Sequence, residues 1–276
     1  MSAPKVTLGD FTVSASFDSD EVVGSLRRYG AAVMPGLVPP GELTALREEF
    51  RKVLEERDES FAYVIDYAAG EAVSIMRSKL PAGKYSRINA FFEHPKMRAV
   101  ADRYVGHPCL LNYEIYATHE FRPEVDVAPT HFDKLWTLKF MLYLDDVRDG
   151  NAPFGVVPGS CHVARKRFRD IFERAHLRTL TMDDERYQAM DNSDPRGEVG
   201  EVVDIVGPAG TLIAFDTDTF HHAASVANGT QRMILRGHSG PSITYRQVRK
   251  GSRQWWRGER RYSRLDAWID RIAEKL

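Results

Sequence analysis

The chain has 276 residues, 43% of them hydrophobic and 28% charged, which is enough for one large domain with a substantial core. Its 38 lysines and arginines nearly cancel 39 aspartates and glutamates, so the charge balance gives no basis for nucleic acid as a partner. Two cysteines, no apolar leader and no apolar run of 18 residues point to a reducing cytoplasm and to no membrane partner.

The pattern opens with helices. Residues 18–30 begin on capping residues and end on Gly30, as a short helix should. A brief apolar run follows at 31–38. Residues 42–57 carry Leu43, Leu46, Phe50 and Leu54 at helical spacing after Pro39 and Pro40. The stretch 58–90 is ambiguous, its apolar runs at 61–65 and 72–76 suiting either strands or lid-like loops. Residues 95–104 read as another helix.

From residue 109 the texture changes. Short β-rich runs occur at 109–120, 135–145, 153–157, 201–206, 211–216, 220–226 and 231–238, separated by turn signals such as Pro158-Gly159 and Asn228-Gly229. Strands without alternating helices predict an antiparallel sandwich or barrel. A helical insert at 164–178 and an acidic loop at 182–199 interrupt it, and 264–276 reads as a C-terminal helix. No composition break marks a linker. The expectation is a single domain over 1–276, with a helical part (18–107), a β core (108–240) and a tail (241–276).

Among nine histidines, His131 stands out because Asp133 follows two residues later, where strand alternation would put both side chains on one face. Phe220-His221-His222 comes ninety residues on, and Arg232 eleven residues after His221. Two histidines and one carboxylate with open positions describe a non-haem iron site. Neighbours on a strand face opposite ways, so one of His221 and His222 should reach the metal. Arg232 offers a planar fork that matches a carboxylate. Arg236 and His238 share its strand parity, and a second inward arginine suits an anionic group. On the first core strand Asn112, Tyr116 and Thr118 share one parity. Trp136 suits a pocket wall, and Lys139, on an otherwise apolar strand, should carry its head group to a pocket or a partner. Asp216 and Asp218 read as turn and capping residues.

The combination resembles the phytanoyl-CoA dioxygenase branch of the Fe(II)/2-oxoglutarate-dependent oxygenases. The matching pieces are Arg28-Tyr29-Gly30-Ala31-Ala32-Val33-Met34-Pro35-Gly36, His131-x-Asp133, Tyr143-Leu144-Asp145-Asp146-Val147, and His221 with Arg232, spanning about residues 18–240. Two loop elements depart from the family pattern, Asn151-Ala152-Pro153 and Pro158-Gly159-Ser160-Cys161-His162. The resemblance implies a mainly β protein with flanking helices, a double-stranded β-helix (jelly roll, cupin-like) core with N-terminal helices and a C-terminal helix.

It further implies Fe(II), 2-oxoglutarate and O2, with His131, Asp133 and His221 as iron ligands. Arg232 would hold the far carboxylate of 2-oxoglutarate, with Asn112 and Thr118 beside the co-substrate. Tyr116, Trp136, Lys139 and Arg236 are the substrate candidates. The expected activity is hydroxylation of a small, polar or anionic metabolite, with desaturation, cyclisation, epimerisation and halogenation on the same centre as alternatives. Asp133 disfavours halogenation, because halogenases of this superfamily commonly have a small residue there. A non-catalytic cupin-like binding module is the rival from another class. Monomer and homodimer both suit the sequence.

Overall fold

A computed structural model describes residues 5–81, 83–105, 109–123, 128–133, 137–167, 185, 189, 191–194 and 197–241. Eleven strands, β1 (Ala31–Met34), β2 (Ala62–Ile65), β3 (Gly70–Met76), β4 (Cys109–Glu120), β5 (Ala128–His131), β6 (Leu138–Tyr143), β7 (Phe154–Val156), β8 (Val203–Ile205), β9 (Leu212–Asp216), β10 (His221–Ala223) and β11 (Arg232–Pro241), form two facing sheets. The larger runs β1-β9-β6-β11-β4-β3-β2 and the smaller β5-β10-β7-β8. Every strand pairing within them is antiparallel. This is the expected jelly roll.

Helices α1 (Ser19–Tyr29), α2 (Pro40–Glu56), α3 (Ser86–Phe92) and α4 (Pro95–Tyr104) cover the outer face of the large sheet. Asp18 accepts from the Asp20 amide and shares a capping box with Glu21, and Gly30 closes α1 at φ 79°, a conformation that costs glycine little. The turn lets β1 begin at once. Leu43, Leu46, Phe50, Val53 and Leu54 of α2 are buried against the sheet. Burying each such side chain contributes roughly 1.5–3 kcal/mol. A second apolar cluster lies between the sheets, with Met141, Tyr143, Ile213, Phe215 and Ile234 from the large sheet meeting Phe154, Val156 and Ile205 from the small one.

The ambiguous stretch 58–90 is not a lid. It contributes β2 and β3, which extend the large sheet beyond β4, followed by α3. The N-terminal part is therefore helices and three strands rather than helices alone. Of the insert expected at 164–178, α5 (Cys161–Arg167) is seen, starting three residues earlier. Trp136, half of the acidic loop expected at 182–199 and the helix expected at 264–276 lie outside the described residues.

Candidate metal centre

β5 and β10 are neighbours in the small sheet, with His131 and His221 as direct register partners. Their rings stand 4.6 Å apart, centroid to centroid. β5 ends at His131, so Asp133 is not brought round by strand alternation. Backbone hydrogen bonds to two distant segments place it instead. The Phe132 amide donates to the Asn192 carbonyl at 3.1 Å, and the Asp133 amide to the Thr217 carbonyl at 2.9 Å. Phe132 is buried edge-on to Phe220 at 5.2 Å, beside Val157 and Ala164, which directs the residues on either side of it the other way.

The resulting geometry is specific. Asp133 Oδ1 lies 3.5 Å from His131 Nε2 and 3.4 Å from His221 Nε2. These ligand atoms all fall within 4.8 Å of one another. Each imidazole pairs its other nitrogen with a backbone carbonyl, His131 Nδ1 with Pro129 O at 2.8 Å and His221 Nδ1 with Thr219 O at 2.7 Å. That second bond makes Nδ1 the protonated nitrogen and leaves the Nε2 lone pair for a metal. Burial works against a charged Asp133, but the adjoining Lys139 ammonium and His221 hold its carboxyl well below the usual range. Burial likewise lowers His221, which favours the neutral, ligating imidazole. The donor set fits a divalent transition metal with room for exogenous ligands.

His222 faces away, its Nε2 3.0 Å from Asp204 Oδ1. Of the two adjacent histidines, His221 is the one in the cluster. The loop before it is pinned by Arg165, whose Nε and Nη2 donate to Asp218 at 2.8 Å and Asp216 at 2.6 Å, and Asp216 also takes the Tyr104 hydroxyl. Both aspartates therefore serve the turn, as their sequence context suggests.

The other predicted residues separate into groups. Arg232 is 1% exposed, and its Nε and Nη2 lie 2.7 and 2.5 Å from Glu120 Oε2 while Nη1 donates to the Ala152 carbonyl. Burial opposes the charge of Arg232, and Glu120 overrides it, raising the guanidinium above its ordinary value. A guanidinium has five N–H groups, so one remains on each terminal nitrogen. Thr118 lies between Ile234 and Ala72 on the interior side. Lys139 is buried and its ammonium reaches Asp133.

Asn112 is a correction. It adopts φ 44°, and the β4–β11 register slips nearby, so the strand's alternation breaks there. Its side chain turns to the helical side, donating to the Phe92 carbonyl at 2.9 Å, with its Oδ1 accepting from Ser239 at 3.1 Å. Adding a Cβ to Gly237 would place it 2.4 Å from Asn112 Oδ1, so the close packing there needs glycine. Asn112 braces the fold and does not face the metal. Glu120 is the residue the sequence reading missed. Its signal was a carboxylate at the end of a strand with the parity of Tyr116 and Thr118.

A jelly roll holding two histidines and one carboxylate between its sheets defines the class of non-haem metal oxygenases. Residues 26–234 match the phytanoyl-CoA dioxygenase (PhyH) family, and the chain belongs to it. It is similar to L-proline trans-4-hydroxylase from Streptomyces griseoviridis, 28% identical over 170 residues, a match that spans 56% of this chain and 60% of that protein. The fold is shared with the non-heme alpha-ketoglutarate-dependent carbocyclase SnoK from nogalamycin biosynthesis (TM-score 0.57, 20% identity, 87% of this chain and 93% of that one). It is also shared with the epimerase SnoN in complex with Fe3+, alpha-ketoglutarate and nogalamycin RO (TM-score 0.55, 20% identity, 81% and 83% covered). Among the described residues no helix is long and apolar enough to cross a membrane.

Proposed function

We propose that this chain is an Fe(II)- and 2-oxoglutarate-dependent dioxygenase that hydroxylates a C–H bond of a small, polar or anionic metabolite. The observation that carries this reading is the single Asp133 oxygen facing two imidazole Nε2 atoms whose Nδ1 positions are tied to backbone carbonyls. Iron bound there supplies O2 activation coupled to decarboxylation of 2-oxoglutarate, so that 2-oxoglutarate, O2 and R–H become succinate, CO2 and R–OH.

The protein's part is to bind, orient and exclude. His131, Asp133 and His221 hold one face of the metal. Arg232, fixed by Glu120 and Ala152, receives the far carboxylate of 2-oxoglutarate through its two remaining N–H groups, with Thr118 alongside. Phe154 and Phe215 pack on His221 at 5.5 and 5.2 Å and keep water from its inner side. Lys139, Arg236 and Tyr116 face the substrate. The name of the similar L-proline trans-4-hydroxylase supports a small amino- or imino-acid substrate and hydroxylation as the outcome.

Anaerobic addition of Fe(II) and 2-oxoglutarate should produce a visible metal-to-ligand charge-transfer band that Asp133→Ala abolishes. In air, succinate should form from 2-oxoglutarate. Wild-type protein showing neither band nor succinate would overturn the reading and leave a binding module in its place.

A further inference from the structure

The interior face of β11 carries a second cationic group at the metal's level. In register, His238 sits between Glu114 of β4 and Lys139 of β6, and Arg236 between Tyr116 and Met141. His238 and Lys139 are each 5% exposed. The His238 ring stacks on Tyr116 with centroids 4.6 Å apart, and the Arg236 Cζ lies 5.1 Å from the centroid of the same ring. Arg236 Nε and His238 Nε2 are buried with no hydrogen-bond partner. A folded protein rarely leaves such atoms unmatched unless a ligand takes them.

Two carboxylates adjoin this group. Glu114 Oε1 already accepts the hydroxyls of Tyr63, Ser74 and Tyr116 at 2.8, 2.7 and 3.1 Å. Asp133 is a metal ligand, so in the loaded enzyme its charge is offset by the ion. Lys139 and Arg236 then outnumber the carboxylate left to them, in a setting where an uncompensated charge is costly. Arg232 does not share this deficit, since Glu120 pairs with it at the other end of the strand.

We infer that Lys139, Arg236 and His238 form a carboxylate subsite for the primary substrate, separate from Arg232. The substrate is then a small carboxylic acid whose carboxylate sits beside the iron and fixes which C–H faces it. An ammonium, a guanidinium and an imidazole provide donors for both oxygens. This rests on the dioxygenase reading above. It adds to it the substrate's charged group and the residues that read it.

The test uses the protein loaded anaerobically with Fe(II) and 2-oxoglutarate. L-proline, L-pipecolate, L-leucine and benzoate are each titrated against their carboxamides, and the perturbation of the charge-transfer band is read. At least one acid should perturb the band, and its amide should need at least about tenfold more, the scale of one charge-assisted hydrogen bond. Arg236→Gln and His238→Asn should each weaken the acid by about tenfold while moving 2-oxoglutarate affinity less than about threefold. A far-ultraviolet circular dichroism spectrum matching the wild type certifies that each variant is folded, and either variant suffices if the other is not. Equal response to acid and amide, or no response to any acid, overturns the inference. A parallel loss of 2-oxoglutarate affinity in the variants also overturns it, assigning the group to the co-substrate. A missing band in the wild type is a different failure, that of the dioxygenase reading itself.

Discussion

Arg232 and Arg236 lie on one strand and one face, four residues apart, in opposite settings. Arg232 is enclosed, with Glu120 along one edge of its guanidinium and a backbone carbonyl at another nitrogen. Arg236 lies over an aromatic ring with its Nε unmatched. The first is held in place before any ligand arrives, which lowers the cost of ordering it. The second has donors to spare. The difference teaches that two arginines with the same parity have different tasks, and that a neighbouring carboxylate, or the want of one, assigns them.

The largest expected effect is on folding. Glu120→Ala leaves Arg232 buried without its carboxylate and should cost about 3–5 kcal/mol by chemical denaturation. Arg236→Ala breaks a ring contact only and should cost about 1 kcal/mol or less. Equal losses would erase the contrast.

Next comes co-substrate affinity. Arg232→Met should raise the 2-oxoglutarate Kd in the charge-transfer titration by about 10- to 100-fold, the worth of a charge-assisted contact. A similar rise in Arg236→Met would show that both arginines serve 2-oxoglutarate.

The pH dependence of stability sharpens the electrostatic side. Burial, then the Lys139 and Arg236 charges, hold His238 well below the ordinary imidazole range. The fold keeps it neutral while the unfolded chain takes up a proton in mild acid. The unfolded state then binds more protons, so stability falls as pH drops below the ordinary imidazole value, by about 1.4 kcal/mol per unit down to the folded value. Urea denaturation of wild type and His238→Gln at about pH 7 and about pH 5 should show a shallower loss in the variant. Parallel slopes would mean that His238 is not the titrating group.

The smallest effect belongs to His222→Ala. Its side chain meets Asp204 at the surface, so metal and 2-oxoglutarate binding should change less than about threefold, while His221→Ala should abolish the charge-transfer band. Loss of the band in both would undo the assignment.

Much of this was legible in the residues. The helices at 18–30, 42–57 and 95–104 follow from apolar spacing and caps, because those patterns depend on neighbours a turn away. The metal set was legible as residue types at a spacing, and family resemblance supplied the order. Three things were not. Asp133 lies past the end of β5 and is placed by a backbone hydrogen bond to Thr217. Asn112 leaves the interior because one left-handed residue reverses the strand's alternation. Strands β2 and β3 suit either strands or loops in sequence, and β2, at the edge of the sheet, leaves Tyr63 and Val64 half exposed.

The sequence by itself determined which side chains could bind a metal and which faces of the strands were apolar, since both are local properties of residue type and period. Only the tertiary structure decided which charges are compensated. Glu120 meets Arg232 from 112 residues away, and Lys139 meets Asp133 from six residues away. The energy of a buried charge depends on what stands within a few ångströms of it, and strand register across a sheet sets that neighbourhood.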